Sequence, residues 1–106
     1  MAGMIFITSE RRLPLSSLQF DFVVHHLREA FLPADQAVRE QVFRPLDEGG
    51  MDIISADELS VLDYRVFVTV VERAFMRAAS TAGFDAREKV WNVLCEMVRN
   101  DERLIG

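Results

Sequence analysis

The sequence predicts a mainly α-helical single domain spanning 1–106, with about four helices around a long central one and at most a minor short β element at the N terminus. Three observations predict it. Apolar residues recur at three- and four-residue steps over most of the chain, the period of a helix buried on one face. Serines and carboxylates stand where helix N-termini need capping oxygens. Half of the 106 residues are apolar, enough for a core at this length without disulfide or metal staples.

Met4 to Thr8 reads Met-Ile-Phe-Ile-Thr, β-branched at alternate positions, and the polar run Ser9 to Arg12 with Pro14 closes it. That pattern predicts one strand. Ser16 and Gln19 fit a capping box and start the first helix. Phe20, Val23, Val24, Leu27 and Phe31 form its buried stripe, and Pro33 marks its end. The alternation from Leu18 to Phe22 fits a strand as well.

A second, shorter helix is expected from Pro33 to Arg44, with Ala37, Val38, Gln41 and Val42 inward and Pro45 as its stop. Met51 to Ile54 offers a short partner for the first strand. Ser55 and Glu58 form a second capping box, and Gly83 before Phe84 suits a left-handed C-cap, so one long helix should run between them. Leu59, Leu62, Val66, Phe67, Val70, Val71, Ala74, Phe75 and Ala78 give it a wide apolar arc, leaving a narrow wet side at Arg65, Thr69, Glu72 and Met76. Asp63 falls inside that arc and, if buried, needs an arginine partner. Asp85 and Glu88 cap a last helix that turns Val90, Trp91, Leu94, Met97 and Val98 inward, with Arg99 and Arg103 suited to its negative C-terminal end.

Function is less legible, and exclusions come first. Seventeen acidic against twelve basic residues leave a net charge of −5, which opposes nucleic-acid binding. Charges interrupt every hydrophobic segment, so no membrane span is expected. Cys95 is the one cysteine; it permits no internal disulfide and fits a reducing cytoplasm. The chain carries no glycine-rich phosphate loop, no nucleophile elbow and no paired-histidine metal motif, so neither a cofactor nor an enzyme activity is implied. Cys95 sits among apolar helix neighbours and reads as a packing residue.

The stretch from Asp47 to Glu58 resembles an EF-hand calcium loop, with aspartate first, Ile54 eighth and glutamate twelfth. Gly49 and Met51 fill the third and fifth positions, which should offer oxygens, and Asp52 replaces the turn glycine. Too few hard oxygens remain to strip a calcium ion of its waters. The density of carboxylates has another use, because such a patch steers a basic partner.

The candidate partner-binding residues are therefore Asp47, Glu48 and Asp52 in the loop, together with Phe22, His25 and His26, which lie off the main stripe of the first helix. Adjacent histidines diverge by about 100° on a helix and do not share a metal easily. His25 stands four residues from both Asp21 and Glu29, which suits an exposed charge cluster. Phe22 is either an exposed aromatic anchor or is covered by a segment such as Arg11 to Leu15.

The chain thus reads as a non-enzymatic protein-binding domain that docks on a basic partner through an acidic, partly apolar surface. In size, charge and lack of motifs it is similar to small bacterial immunity proteins that occlude a toxin, a likeness of composition that no diagnostic motif carries. A degenerate EF-hand-like regulatory domain and a small enzyme of unrecognised type are the alternatives. A homodimer is left open.

Overall fold

The computed structural model describes residues 3–81 and 84–105. Three short strands form one sheet in the order β2-β1-β3, where β1 is Gly3–Phe6, β2 is Arg12–Leu15 and β3 is Ile53–Ser55. β1 pairs antiparallel with β2, Ile5 facing Leu13, and parallel with β3, Ile5 facing Ile54. Ile5, Ile7 and Ile54 are fully buried, so alternate positions supply the core as a half-buried strand requires. At Gly3 a Cβ would lie 2.2 Å from Phe20 Cγ; only glycine lets the first strand approach the helix that covers it. β2 was not expected, since Arg12 and Pro14 belong to the stretch that closes the first strand in the sequence pattern. As an edge strand it tolerates both, because its outer side carries no ladder.

Helix α1 (Ser17–Ala30) starts at the expected cap: Ser16 Oγ accepts from the Gln19 N–H and the Gln19 side chain accepts from the Ser16 N–H. Phe20, Val23, Val24 and Leu27 are buried as predicted. The orphan carbonyl of Ala30 at its C terminus is taken by the Arg73 guanidinium.

Helix α2 (Gln36–Asp47) follows a 3-10 turn at Pro33–Asp35 and runs past Pro45. Proline was expected to stop it, yet in a last turn it removes a single bond. The Arg44 carbonyl there accepts from both Glu48 N–H and Gly49 N–H. The turn is closed by Met51 N–H on the Pro45 carbonyl at 3.1 Å and by Gly50 at a φ of 64°.

Helix α3 (Val61–Ala79) is the central one, touching α1, α2 and two later helices. Its N-cap is Ser60, whose Oγ accepts from Asp63 N–H at 3.2 Å, and not the expected Ser55. Ser55 belongs to β3, and its Oγ accepts from Asp57 N–H. Pairing with β1 holds residues 53–55 extended, so the helix begins five residues later than expected. Asp63 consequently sits in the first turn, where a carboxylate suits the positive helix end, and Leu62 is 72% exposed instead of buried. The predicted C-cap at Gly83 lies outside the described residues.

Helix α4 (Glu88–Arg99) follows a 3-10 turn at Phe84–Ala86, and its N-cap position is Arg87, not the expected Asp85. Trp91, Leu94, Cys95 and Val98 are buried. The chain then breaks at Asn100 and Asp101 into a short helix α5 (Glu102–Ile105), so Arg103 does not serve the end of α4.

Candidate partner-binding site

Arg103 turns inward and organises the end of the chain. It donates to the carbonyls of Ile7, Ala56 and Leu59, pairs with Asp101 at 2.8 Å, and lies 3.8 Å from the centre of the Tyr64 ring. Asp101 is 3% exposed, and the Arg103 guanidinium holds its carboxyl below the usual carboxylate range. Arg11 adds a longer contact to Asp101 and donates to the Met97 carbonyl at 2.6 Å. Tyr64 Oη donates to the Val98 carbonyl, and burial pushes its phenol well above the ordinary value. This hub was missed in the sequence because, apart from Asp101 two positions away, the groups that Arg103 meets lie tens of positions off. Every group in it is satisfied by another part of the fold, so it is structural.

The six predicted site residues do not form one cluster. Phe22 and His26 meet at the junction of α1 and α4, in edge-on contact at 4.6 Å between ring centres, with the Trp91 ring 6.3 Å from His26. Phe22 is not a bare anchor: it is half-buried, and the Arg87 guanidinium lies 4.4 Å over its ring. Part of its cover comes from the start of α4. His26 is buried, which removes it from the surface it was assigned to; burial and then the neighbouring His25 lower its affinity for a proton. His25 is exposed and pairs with Glu29 at 3.6 Å, and Glu29 also takes Arg77 of α3.

In the acidic loop, Asp47 is gripped by both terminal nitrogens of Arg28, which lowers its pKa. Arg28 in turn lies 4.4 Å over the Phe43 ring. Glu48 pairs with Arg44 one turn back at 3.3 Å. Asp52 is half-buried, and its carbonyl accepts from Met4 N–H at the start of the sheet. The local charge is therefore lower than the sequence suggested.

Two open clefts flank residues 55–59. One, of about 620 Å³, runs between Thr8–Arg11 and Asn100–Arg103. The other, of about 510 Å³, lies between the last turns of α2 and Ser55–Glu58, with Met51 at its edge. Asp57 lines both, and its carboxylate accepts from Ser9 N–H at 2.8 Å. Because α3 starts only at Val61, Asp57 and Glu58 stand on the groove wall and not in the first turn of the helix.

Among the described residues no group of three or more His, Cys, Asp or Glu side chains is placed to hold a metal. None of the described helices is long and apolar enough to cross a membrane. Burial raises the pKa of the Cys95 thiol, the opposite of what an activated nucleophile needs.

No known family model matches the sequence. The chain is 42% identical over 106 residues to the immunity protein CdiI of Burkholderia pseudomallei, covering 98% of this chain and 95% of that protein. It is also similar to a chain in a solved complex of the CdiA-CT toxin from Burkholderia pseudomallei E479 with its cognate CdiI immunity protein. There the TM-score is 0.95 at 37% identity, over 97% of this chain and 99% of that one. With such identity along nearly its whole length and the same helical fold around a three-stranded sheet, the chain belongs to the CdiI immunity protein family.

Proposed function

We propose that this chain is an immunity protein that binds a CdiA-CT-type toxin domain and keeps it inactive by occupying its surface, without catalysis and in the cytoplasm. The observation that carries this reading is full-length similarity to CdiI, at 42% identity, together with a TM-score of 0.95 to a chain of a toxin–immunity complex. The net charge of −5 supports a basic partner and speaks against nucleic acid. Glu48 and Asp52 belong to the steering rim, with Asp47 weakened in that role by Arg28. On the α1 side His25 is the group available to a partner, with Phe22 and His26 behind it.

The test is protection. Cells expressing a CdiA-CT-type toxin domain from the same genome should grow when the chain is co-expressed, and the two purified proteins should co-elute as a complex. A chain that neither protects nor co-elutes would overturn the proposal.

A further inference from the structure

We infer that the groove between the end of α2 and residues 55–58 is where a toxin docks, and that its occupant is a basic segment of the toxin carrying one apolar side chain between cationic ones. The inference rests on the immunity reading and names the surface that reading leaves open.

The groove has an apolar edge and a negative rim. Met51, 49% exposed, and Pro45 supply the apolar surface. Glu48, Asp57 and Glu58 stand around them against a single guanidinium, Arg44, which is already engaged by Glu48. Glu58 has no ion-pair partner among the described residues. An anionic occupant would be repelled there, and a purely apolar one would strip water from carboxylates without compensation. A basic segment with an apolar side chain satisfies both requirements, because its cations meet the rim while its apolar group covers Met51.

The groove is also built before any partner arrives. Met51 N–H is bonded to the Pro45 carbonyl, and the Gln41 side chain donates to the Glu58 carbonyl across the groove at 3.3 Å. Gly49 cannot take a Cβ, which would lie 2.7 Å from the Pro45 oxygen. A wall fixed in this way loses little conformational freedom on binding. Beyond Asp57 the negative surface continues into the neighbouring cleft at Glu10 and Glu102, so a segment leaving the groove on that side meets further carboxylates.

The experiment measures binding of the 106-residue chain to two probes, a CdiA-CT-type toxin domain from the same genome and the CdiA-CT toxin of Burkholderia pseudomallei E479. Met51→Lys and Glu58→Lys, singly and together, are compared with Met76→Lys, which changes a methionine 76% exposed on the outer face of α3. The groove variants should weaken binding by about tenfold each or more, as central interface residues do, while Met76→Lys stays at the wild-type affinity. Thermal unfolding of each variant establishes that it is folded. Wild-type binding that all four folded variants retain would overturn the groove assignment and leave the immunity reading standing. Failure of the wild-type chain to bind either probe would overturn both.

Discussion

Arg103 donates to the carbonyl of Ile7 at 2.9 Å across 96 positions of chain, joining the last helix to the end of the first strand. The same guanidinium holds Ala56 and Leu59 at 2.7 and 3.1 Å, so one side chain serves three separate carbonyls. Arg103→Ala would strand those carbonyls and leave Asp101 buried without its main partner. The expected cost is about 3 kcal/mol, in the range for breaking a partly buried pair. Arg103→Lys should recover only part of it, since an ammonium cannot reproduce the planar fork. Urea unfolding of the three proteins measures this, and equal midpoints for wild type and Arg103→Ala would refute it.

The Asp101 carboxyl makes the same region acid-sensitive. Its folded pKa lies below the ordinary value, first because of the Arg103 hydrogen bond. A depressed carboxylate stabilises the fold above its unfolded pKa of about 3.9, and that stability is lost as pH falls through the folded value. Asp101→Asn should therefore be less stable near neutral pH and converge on wild type in strong acid. Asp47 is shifted in the same direction by Arg28. It lies at an exposed helix end, where solvent screens the pair, and Asp47→Asn should change stability little.

How far these features were legible in the sequence depends on how far apart their partners lie. The Ser16–Gln19 box was readable because both members sit within one turn, and the long helix was readable because its apolar period persists. Ser55–Glu58 has the same local grammar and fails, since pairing of Ile53–Ser55 with β1 is a long-range event that outweighs a local cap. Leu62 was misplaced for the same reason. Arg103 looked like a helix-end charge, and nothing near it in the chain reveals that Ile7, Ala56 and Leu59 wait for its donors. His26 was assigned to the surface because it lies off the core stripe of α1, on the side to which Phe22 points; α4 is what covers both.

His26 should also register in stability. Its folded pKa is lowered, first by burial and then by His25, with Glu29 opposing and Arg77 adding to the effect. The unfolded chain therefore takes up a proton near pH 6.5 while the folded chain resists it. Stability is full above that pH, begins to fall as pH drops through it, and stops falling once the folded histidine is also protonated. His26→Phe should flatten the change in urea midpoint between pH values near 7 and near 5, whereas His25→Gln should leave a substantial part of it. An unchanged slope in His26→Phe would show that other groups set the acid response.

Calcium should not bind usefully to residues 47–58. Asp47, the first ligand position, is held by Arg28, and Ile53–Ser55 are committed to the sheet. Gly49 and Met51 offer no side-chain oxygen where an EF-hand needs one. Calorimetry at millimolar calcium should give no saturable heat. A tight site abolished by Glu58→Gln would contradict this account of the loop.

Phe22 and the acidic rim should separate in kinetic measurements with a toxin. Carboxylates at the rim mainly speed encounter, so changing Glu48 and Asp52 to their amides should lower the association rate and flatten its dependence on salt. Phe22 touches His26 and lies under Arg87, with the Trp91 ring 6.4 Å away. Phe22→Ala should therefore act first on the fold, at a cost of about 2 kcal/mol for a half-buried aromatic. If its ring also contacts the toxin, the dissociation rate rises beyond what this loss of stability explains. His25→Ala separates the two cases. It removes an exposed neighbour of Phe22 without opening the core, so faster dissociation in His25→Ala marks the α1 face as contact surface. Wild-type dissociation in His25→Ala, with a merely destabilised Phe22→Ala, assigns Phe22 to packing and leaves the docking to the acidic side.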